Sequence, residues 1–283
     1  MEKEKLHDLG KFYASQRSGR GYTQKDVETI GLKKSQISNF ENGKNMLSAD
    51  RLLLAIQGIN MSPNEFFHAL NGYQGTKMQL FTRQLMEFQA SRDSENIKKL
   101  IIEEPKSIHE ALENVMIKSV VKEITGENLV TSEESSLVGK YLTNIDEWTE
   151  YEVAIFAYGI ETLDVGDVYW LGKEMIERSE FYMQLVLNRQ IIIRTTLHAF
   201  AYMIEHGEFK YAQYFNQQLE KMVSERELMD WIFYKFLNMI FDYKTEKTSH
   251  LVDEMQKYID CLDIVGAKVT AQMFTKMLID VSN

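Results

Sequence analysis

The sequence has only two prolines in 283 residues, Pro63 and Pro105. A chain rich in Met and Leu with so few breakers is expected to be almost wholly helical. Cysteine is scarcer still, because Cys261 stands alone. One thiol excludes an internal disulfide and a zinc site of several cysteines. Cys261 itself reads as a small core residue. No apolar run approaches the ~20 residues of a membrane helix. No secretory leader pattern opens the chain, so a cytosolic protein is expected. Catalytic signatures are missing as well. The histidines His7, His68, His109, His198, His206 and His250 are scattered, with no HExxH, GxSxG or phosphate-binding glycine loop. Acid pairs such as Glu103–Glu104 and Glu133–Glu134 read as solvated surface. No enzyme, cofactor or metal site is expected.

The charge is uneven. Residues 1–70 hold ten Lys/Arg and eight Asp/Glu, a net of +2; the remainder holds 22 and 34, a net of −12. Phosphates would be repelled by the acidic part, so any nucleic-acid contact belongs to the N-terminal part. The composition also changes after "NGYQGT", Asn71 to Thr76, whose glycines mark a helix break. The expected organisation is an N-terminal unit over 1–70, a linker over 71–76 and a second helical unit over 77–283.

Five short helices are predicted in the first part. The first runs from Lys5 to Ser15, with Leu6, Leu9, Phe12 and Tyr13 on its apolar side, and Gly19 and Gly21 break it. The second has Thr23 as N-cap, Asp26 at the third helical position, Tyr22 and Val27 as a staple, and Gly31 at its end. The third is "LKKSQISNFENGK", Leu32 to Lys44, ended by Gly43. Only Ile37 and Phe40 of this helix can enter a core. The fourth starts at Ser48 and carries Leu52, Leu53 and Ile56. The last has Ser62 as cap, Pro63 at the first position, Glu65 closing a capping box and Met61 stapling Phe66.

Two short helices joined at Gly31 make a helix-turn-helix, whose second helix lies in the major groove. Its polar face then has a purpose. Gln36, Ser38 and Asn39 offer amides and a hydroxyl to base edges, and Lys33, Lys34 and Ser35 suit phosphates. The run from Tyr22 to Phe66 resembles the xenobiotic-response-element type of helix-turn-helix, a lambda-repressor-like fold. The resemblance rests on Thr23–Gln24, Ser35–Gln36–Ile37–Ser38, Phe40–Glu41–x–Gly43 and Met61–Ser62–Pro63. It implies a phosphate contact for Gln24, while Glu41 is read as a structural partner within the unit. Lys33 stands where related streptococcal regulators usually have serine, and Asn39 where they usually have arginine. The recognition helix therefore loses a cap and a strong guanine or phosphate reader.

The acidic part repeats itself. "FAYGIE" starts at Phe156, "FAYMIE" at Phe200 and "FLNMIF" at Phe236, spacings of 200 − 156 = 44 and 236 − 200 = 36. Each copy is followed by a polar turn and a further amphipathic helix, as in a helical solenoid. "EHGEFKYAQYF" resembles a tetratricopeptide turn, with Gly207 at the corner and Ala212 at a close helix crossing. The first helices are expected to line a concave surface carrying Trp148, Tyr151, Tyr158, Asn188, Arg194, Tyr202, Trp231, Tyr234, Lys235 and Asn238. Aromatics, amides and cations are what a peptide groove requires. Amides pair with peptide backbone, and Arg194 or Lys235 would meet a terminal carboxylate.

The order of the parts resembles the Rgg regulators of streptococci and related Firmicutes, within the peptide-sensing group of Rgg, NprR, PlcR and PrgX-like proteins. "SQISNFENG", "WTEYEVAIF", "SEFYMQLVLNRQ" and "EHGEFKYAQYF" carry that resemblance. It implies a homodimeric transcription factor on an inverted-repeat DNA operator. Its repeats would bind a short hydrophobic peptide after import and alter DNA binding or contact with RNA polymerase. Asn188 matches the position where this family uses a peptide-facing asparagine; at Tyr158 relatives often have asparagine. Two other readings remain: a repressor whose repeats bind a protein partner, and one whose repeats only dimerise.

Overall fold

The structure is a computed structural model that describes residues 3–72, 74–179, 182–184, 186–246 and 250–282. Some sequence expectations fall outside these. They are the side chains of Leu6 and His7, residues Glu180, Phe181 and Leu185 of "SEFYMQLVLNRQ", and Lys247 and Thr248 of the turn after the third repeat copy. The chain divides into two compact units, residues 1–81 and 82–283.

In the N-terminal unit α1 (Lys3–Gly19), α2 (Lys34–Glu41), α3 (Ala49–Gly58) and α4 (Pro63–Leu70) surround one core. Tyr13, Val27, Leu32, Ile37, Phe40, Ile56 and Phe66 form its centre. The Tyr13 hydroxyl donates to the Ala55 carbonyl at 3.0 Å, so the one polar atom of that buried ring is satisfied. Gly10 lets α1 cross closely over the end of α2. A Cβ there would stand 2.1 Å from the Phe40 carbonyl oxygen, which only glycine permits. At α4 the expected cap is complete: Ser62 accepts from the Glu65 amide, and Glu65 accepts from Ser62, with Pro63 at the first position. Leu53 of α3 lies 41% exposed, whereas Ile56 is fully buried.

The second predicted helix is not formed as an α-helix. Its capping box does close, since Thr23 N–H and hydroxyl both reach the Asp26 carboxylate at 2.7 Å. The backbone then continues with three-residue turns, Asp26 to Thr23 and Glu28 to Lys25. Thr29 and Leu32 pair across Ile30 and Gly31 and reverse the chain. Too few residues separate the cap from that reversal to repay nucleation, and Val27, Thr29 and Ile30 are β-branched. Val27 still reaches the core, so the segment positions α2 without being a full helix. Helix α1 also continues four residues past Ser15, to Gly19.

The second unit contains α5 (Lys77–Ser91) in large part, then α6 (Ser94–Lys98), α7 (Ile108–Thr125), α8 (Ser132–Thr143), α9 (Glu150–Gly159) and α10 (Val165–Arg178). These are followed by α11 (Val186–Glu205), α12 (Phe209–Met222), α13 (Leu228–Glu246), α14 (His250–Ile264) and α15 (Lys268–Ser282). Helices α7, α9, α11, α13 and α15 pack in sequence, with α8, α10, α12 and α14 between them in the chain. That is the stacking of a helical repeat. The repeated phenylalanines explain the echo in the sequence: Phe156, Phe200 and Phe236 are all fully buried. Phe156 meets Trp148 edge-on, Phe200 lies against Phe241, and Phe236 stacks on Phe274 at 4.0 Å. Gly207 takes φ +72° directly after α11, where the Glu208 amide reaches back to the Met203 carbonyl at 2.9 Å. Ala212 is fully buried where α12 folds back on α11. Cys261 is exposed on α14, contrary to the core position expected of it. Its helix turns Met255, Ile259 and Leu262 inward, and residue 261 falls off that stripe.

Candidate functional site

Helix α2 shows how the sequence builds a polar surface on a buried anchor. Ile37 and Phe40 are buried and anchor it, while Lys34 and Ser35 are exposed and Gln36, Ser38 and Asn39 are half-buried. Lys33 at the N-cap has no acceptor to offer the first turn. Gln36 compensates in part, because its Oε1 accepts the Lys33 amide at 2.8 Å. The Gln36 carbonyl is thereby fixed, and its NH₂ group is left to donate outward. Asn42 Nδ2 donates to the Ser38 carbonyl at 2.7 Å and closes the far end.

Behind this surface lies a polar clamp that sequence reasoning found only at Glu41. Arg17 Nε donates to Glu41 Oε1 at 2.6 Å and its Nη2 to Oε2 at 2.9 Å, a two-pronged pair. The pair is nearly buried, with Arg17 12% and Glu41 7% exposed. Arg17 also donates to the Tyr22 carbonyl. Gln24 Nε2 donates to Glu41 Oε2 at 2.7 Å. Glu41 thus joins α1, the turn at Gln24 and the end of α2. Gln24 has one of its two N–H groups committed to Glu41, and the other has no acceptor among the described residues. Arg17 lay outside every motif, so only its distant partner reveals it.

On the repeat side the structure separates the ten expected groove residues. Trp148 is 1% exposed and belongs to the core between helices. Tyr202 is 5% exposed, and its hydroxyl donates to the Leu163 carbonyl at 3.1 Å. Tyr234 is 5% exposed and donates to Asn216 Oδ1 at 2.9 Å. Asn216 in turn donates to Asn238 Oδ1 at 2.8 Å. The hydroxyls of Tyr202 and Tyr234 and the side-chain carbonyl of Asn238 are therefore engaged in holding neighbouring elements together. An amide gains from core packing when a second amide and a phenol complete its bonds. Tyr151 is similarly engaged, its hydroxyl 2.9 Å from His109 Nδ1. Tyr158 is half-buried, and burial pushes its hydroxyl up to about 12.

Of the ten, Asn188, Arg194, Trp231 and Lys235 share one seam. They lie on α11 and α13, which pack side by side. Asn188 is half-buried with no hydrogen-bond partner among the described residues. Arg194 donates to Asp230 at 3.0 Å and is itself 63% exposed. Lys235 stands 4.4 Å over the Trp231 ring. On its other side α11 is tied to the turn after α9 by His198 Nε2, 3.3 Å from Glu161 Oε1. That contact, with the nearby charge of His198, holds the Glu161 carboxyl below its usual range. The seam of α11 and α13 thus carries an aromatic face, two cations and an amide with no partner among the described residues.

Such a chain, with a helix-turn-helix DNA-binding unit ahead of a helical repeat, is a transcriptional regulator of the helix-turn-helix type. Residues 15–66 match a helix-turn-helix family model. Residues 80–276 match the C-terminal domain of the HTH-type transcriptional regulator Rgg, and the chain belongs to the Rgg family. Solved structures share the fold. The SHP pheromone receptor Rgg2 of Streptococcus dysgalactiae is 20% identical, with a TM-score of 0.80 over 95% of this chain and 98% of that one. The PrgX/iCF10 complex is 15% identical, with a TM-score of 0.72 over 97% and 96%. A bacterial peptide pheromone/receptor complex is 16% identical, with a TM-score of 0.71 over 97% and 98%. No helix among the described residues is long and apolar enough to cross a membrane.

Proposed function

We propose that this protein is a dimeric DNA-binding regulator whose repeat unit senses a short imported hydrophobic peptide. The observation that carries the reading is the Rgg C-terminal match over 80–276 directly behind the helix-turn-helix. The pheromone receptors of the same fold support it, and so does the seam of α11 and α13.

The DNA side follows from α2. Gln36 and Asn39 read base edges, Ser38 assists, and Lys34 and Ser35 hold phosphates, with Gln24 at the neighbouring phosphate. One recognition helix reads few base pairs, so two chains on an inverted repeat supply the specificity. The peptide side follows from Asn188, Arg194, Trp231 and Lys235. An extended peptide brings N–H and C=O groups into a partly dry groove, and each left unpaired costs roughly 1–3 kcal/mol. Asn188 offers a donor and an acceptor together. Its lack of a partner among the described residues supports that role.

The test is calorimetry of the full chain with fractionated secreted peptides of the producing cells, repeated with Asn188→Ala. Loss of heat in the variant, with DNA binding intact, supports the assignment. Unchanged affinity removes Asn188 from the site. Silence of the wild type with every fraction favours a protein partner or plain dimerisation.

A further inference from the structure

A cleft of about 330 Å³ opens where α11 and α13 begin, lined by Met183, Gln184, Arg189, Gln190, Arg226 and Glu227. Its volume is at the lower limit of ligand pockets, ~300 Å³, and suits one end of a peptide better than a whole one. The charges lining it are not equivalent. Arg189 is already engaged: it donates to the Met222 carbonyl and stands 3.8 Å from Glu227. Glu227 also accepts from the Ser224 hydroxyl, which holds its carboxyl below the usual range, with the charge of Arg189 adding to the effect. Arg226 is different. The residue is exposed, and its guanidinium has neither hydrogen bond nor ion pair among the described residues. The side-chain amides of Gln184 and Gln190 are likewise unused among the described residues.

The other cations of the seam already have a partner within the chain. Arg194 is committed to Asp230, and Lys235 lies over Trp231. A guanidinium with no acid partner among the described residues stands out where residues 71–283 hold 34 acids against 22 bases. A planar fork of donors beside two amides is what a carboxylate needs, two parallel N–H bonds to its oxygens and further donors at its flanks.

We propose that this cleft is the carboxylate subsite of the peptide site, with Arg226 gripping the carboxylate and Gln184 and Gln190 bonding the adjacent peptide groups. The proposal rests on the peptide-sensing reading and names the end of the seam where an acidic group docks. Two sources supply that group: the peptide's own C-terminus, or an Asp or Glu side chain.

The experiment uses the full chain and pooled synthetic libraries of short apolar peptides. One pool has free C-termini, a second has C-terminal amides, and a third has free C-termini with every Asp and Glu replaced by Asn or Gln. Wild type and Arg226→Gln are compared by capture and fluorescence anisotropy. Arg226→Lys is included, since a point charge without the fork should restore binding only in part. The expected result is a loss of about tenfold or more for Arg226→Gln, the scale of a charge-assisted hydrogen bond. The same loss should appear in wild type with the amidated pool if the C-terminus docks, or with the neutralised pool if a side chain docks. Thermal unfolding and DNA binding of Arg226→Gln should match wild type, because the residue is exposed. Equal capture of the free-acid pool by wild type and Arg226→Gln overturns the subsite and leaves the peptide reading standing. Capture of no peptide by wild type overturns the peptide reading, and the subsite with it.

Discussion

Arg17–Glu41 in the N-terminal unit and Arg194–Asp230 in the repeat unit are both arginine–carboxylate pairs, and both acids are 7% exposed. The cations differ: Arg17 is 12% exposed and Arg194 63%. In the first pair neither partner has water to fall back on, and the bonds lock α1, the turn at Gln24 and the end of α2 together. In the second the arginine is already half in solvent, and the pair leaves a cation displayed on a face. The contrast teaches where each unit is built to hold still and where it is built to be touched.

The sharpest way to break that contrast is to remove the acid from each pair. Glu41→Ala strands a nearly buried guanidinium and the Gln24 amide, and should destabilise the N-terminal unit by about 3–5 kcal/mol. Asp230→Ala returns Arg194 to water and should cost no more than ~1 kcal/mol. Urea unfolding followed separately for the two units reads both; equal losses would remove the distinction. Next in size are the residues proposed to contact DNA. Gln36→Ala and Asn39→Ala should each weaken binding to a selected site by about 1–3 kcal/mol, with little change on random DNA. Lys34→Ala should weaken both alike and lower the salt slope by about one. Competition footprinting over a salt series separates the two behaviours, and equal losses for Gln36→Ala on both DNAs would make it a phosphate contact.

The smallest effect concerns the capping boxes of the N-terminal unit. Thr23 holds the Asp26 carboxyl below its usual range through its backbone and side-chain bonds, and Ser62 does the same for Glu65. A depressed acid stabilises the fold above its unfolded value and loses that contribution as pH falls through the folded one. The N-terminal unit should therefore soften progressively below the ordinary carboxylate range. Thr23→Val removes the hydroxyl bond and keeps the backbone one, so it should move the Asp26 titration only part of the way back, as read by carboxyl-resolved NMR.

Much of this was legible in the sequence, for reasons that differ by residue. Local signals were readable because they are local: Ser62–Pro63–Glu65, Gly43 and Gly207 lie within a turn of what they control. The buried phenylalanines of the repeats showed through their spacing. The second predicted helix was lost because a closed capping box does not guarantee enough turns to follow it. The groove list was too long because sequence shows which helix a residue is on, but not whether a distant amide or carbonyl completes its bonds. Asn238 and Asn188 look alike in the sequence, yet only Asn238 finds Asn216. Arg17 and Arg226 had no motif to announce them. One is defined by a partner 24 positions away, the other by having none among the described residues.

The central claim is a symmetric pair of chains reading DNA through α2. Selection of the full chain on a random duplex pool, with the mass of the bound complex determined on the winning sequence, tests it most directly. The account predicts enrichment of an inverted repeat with half-sites about one helical turn apart, ~10 base pairs, and two chains per duplex. Enrichment of a single asymmetric site by one chain, or no enrichment above random DNA, would contradict it.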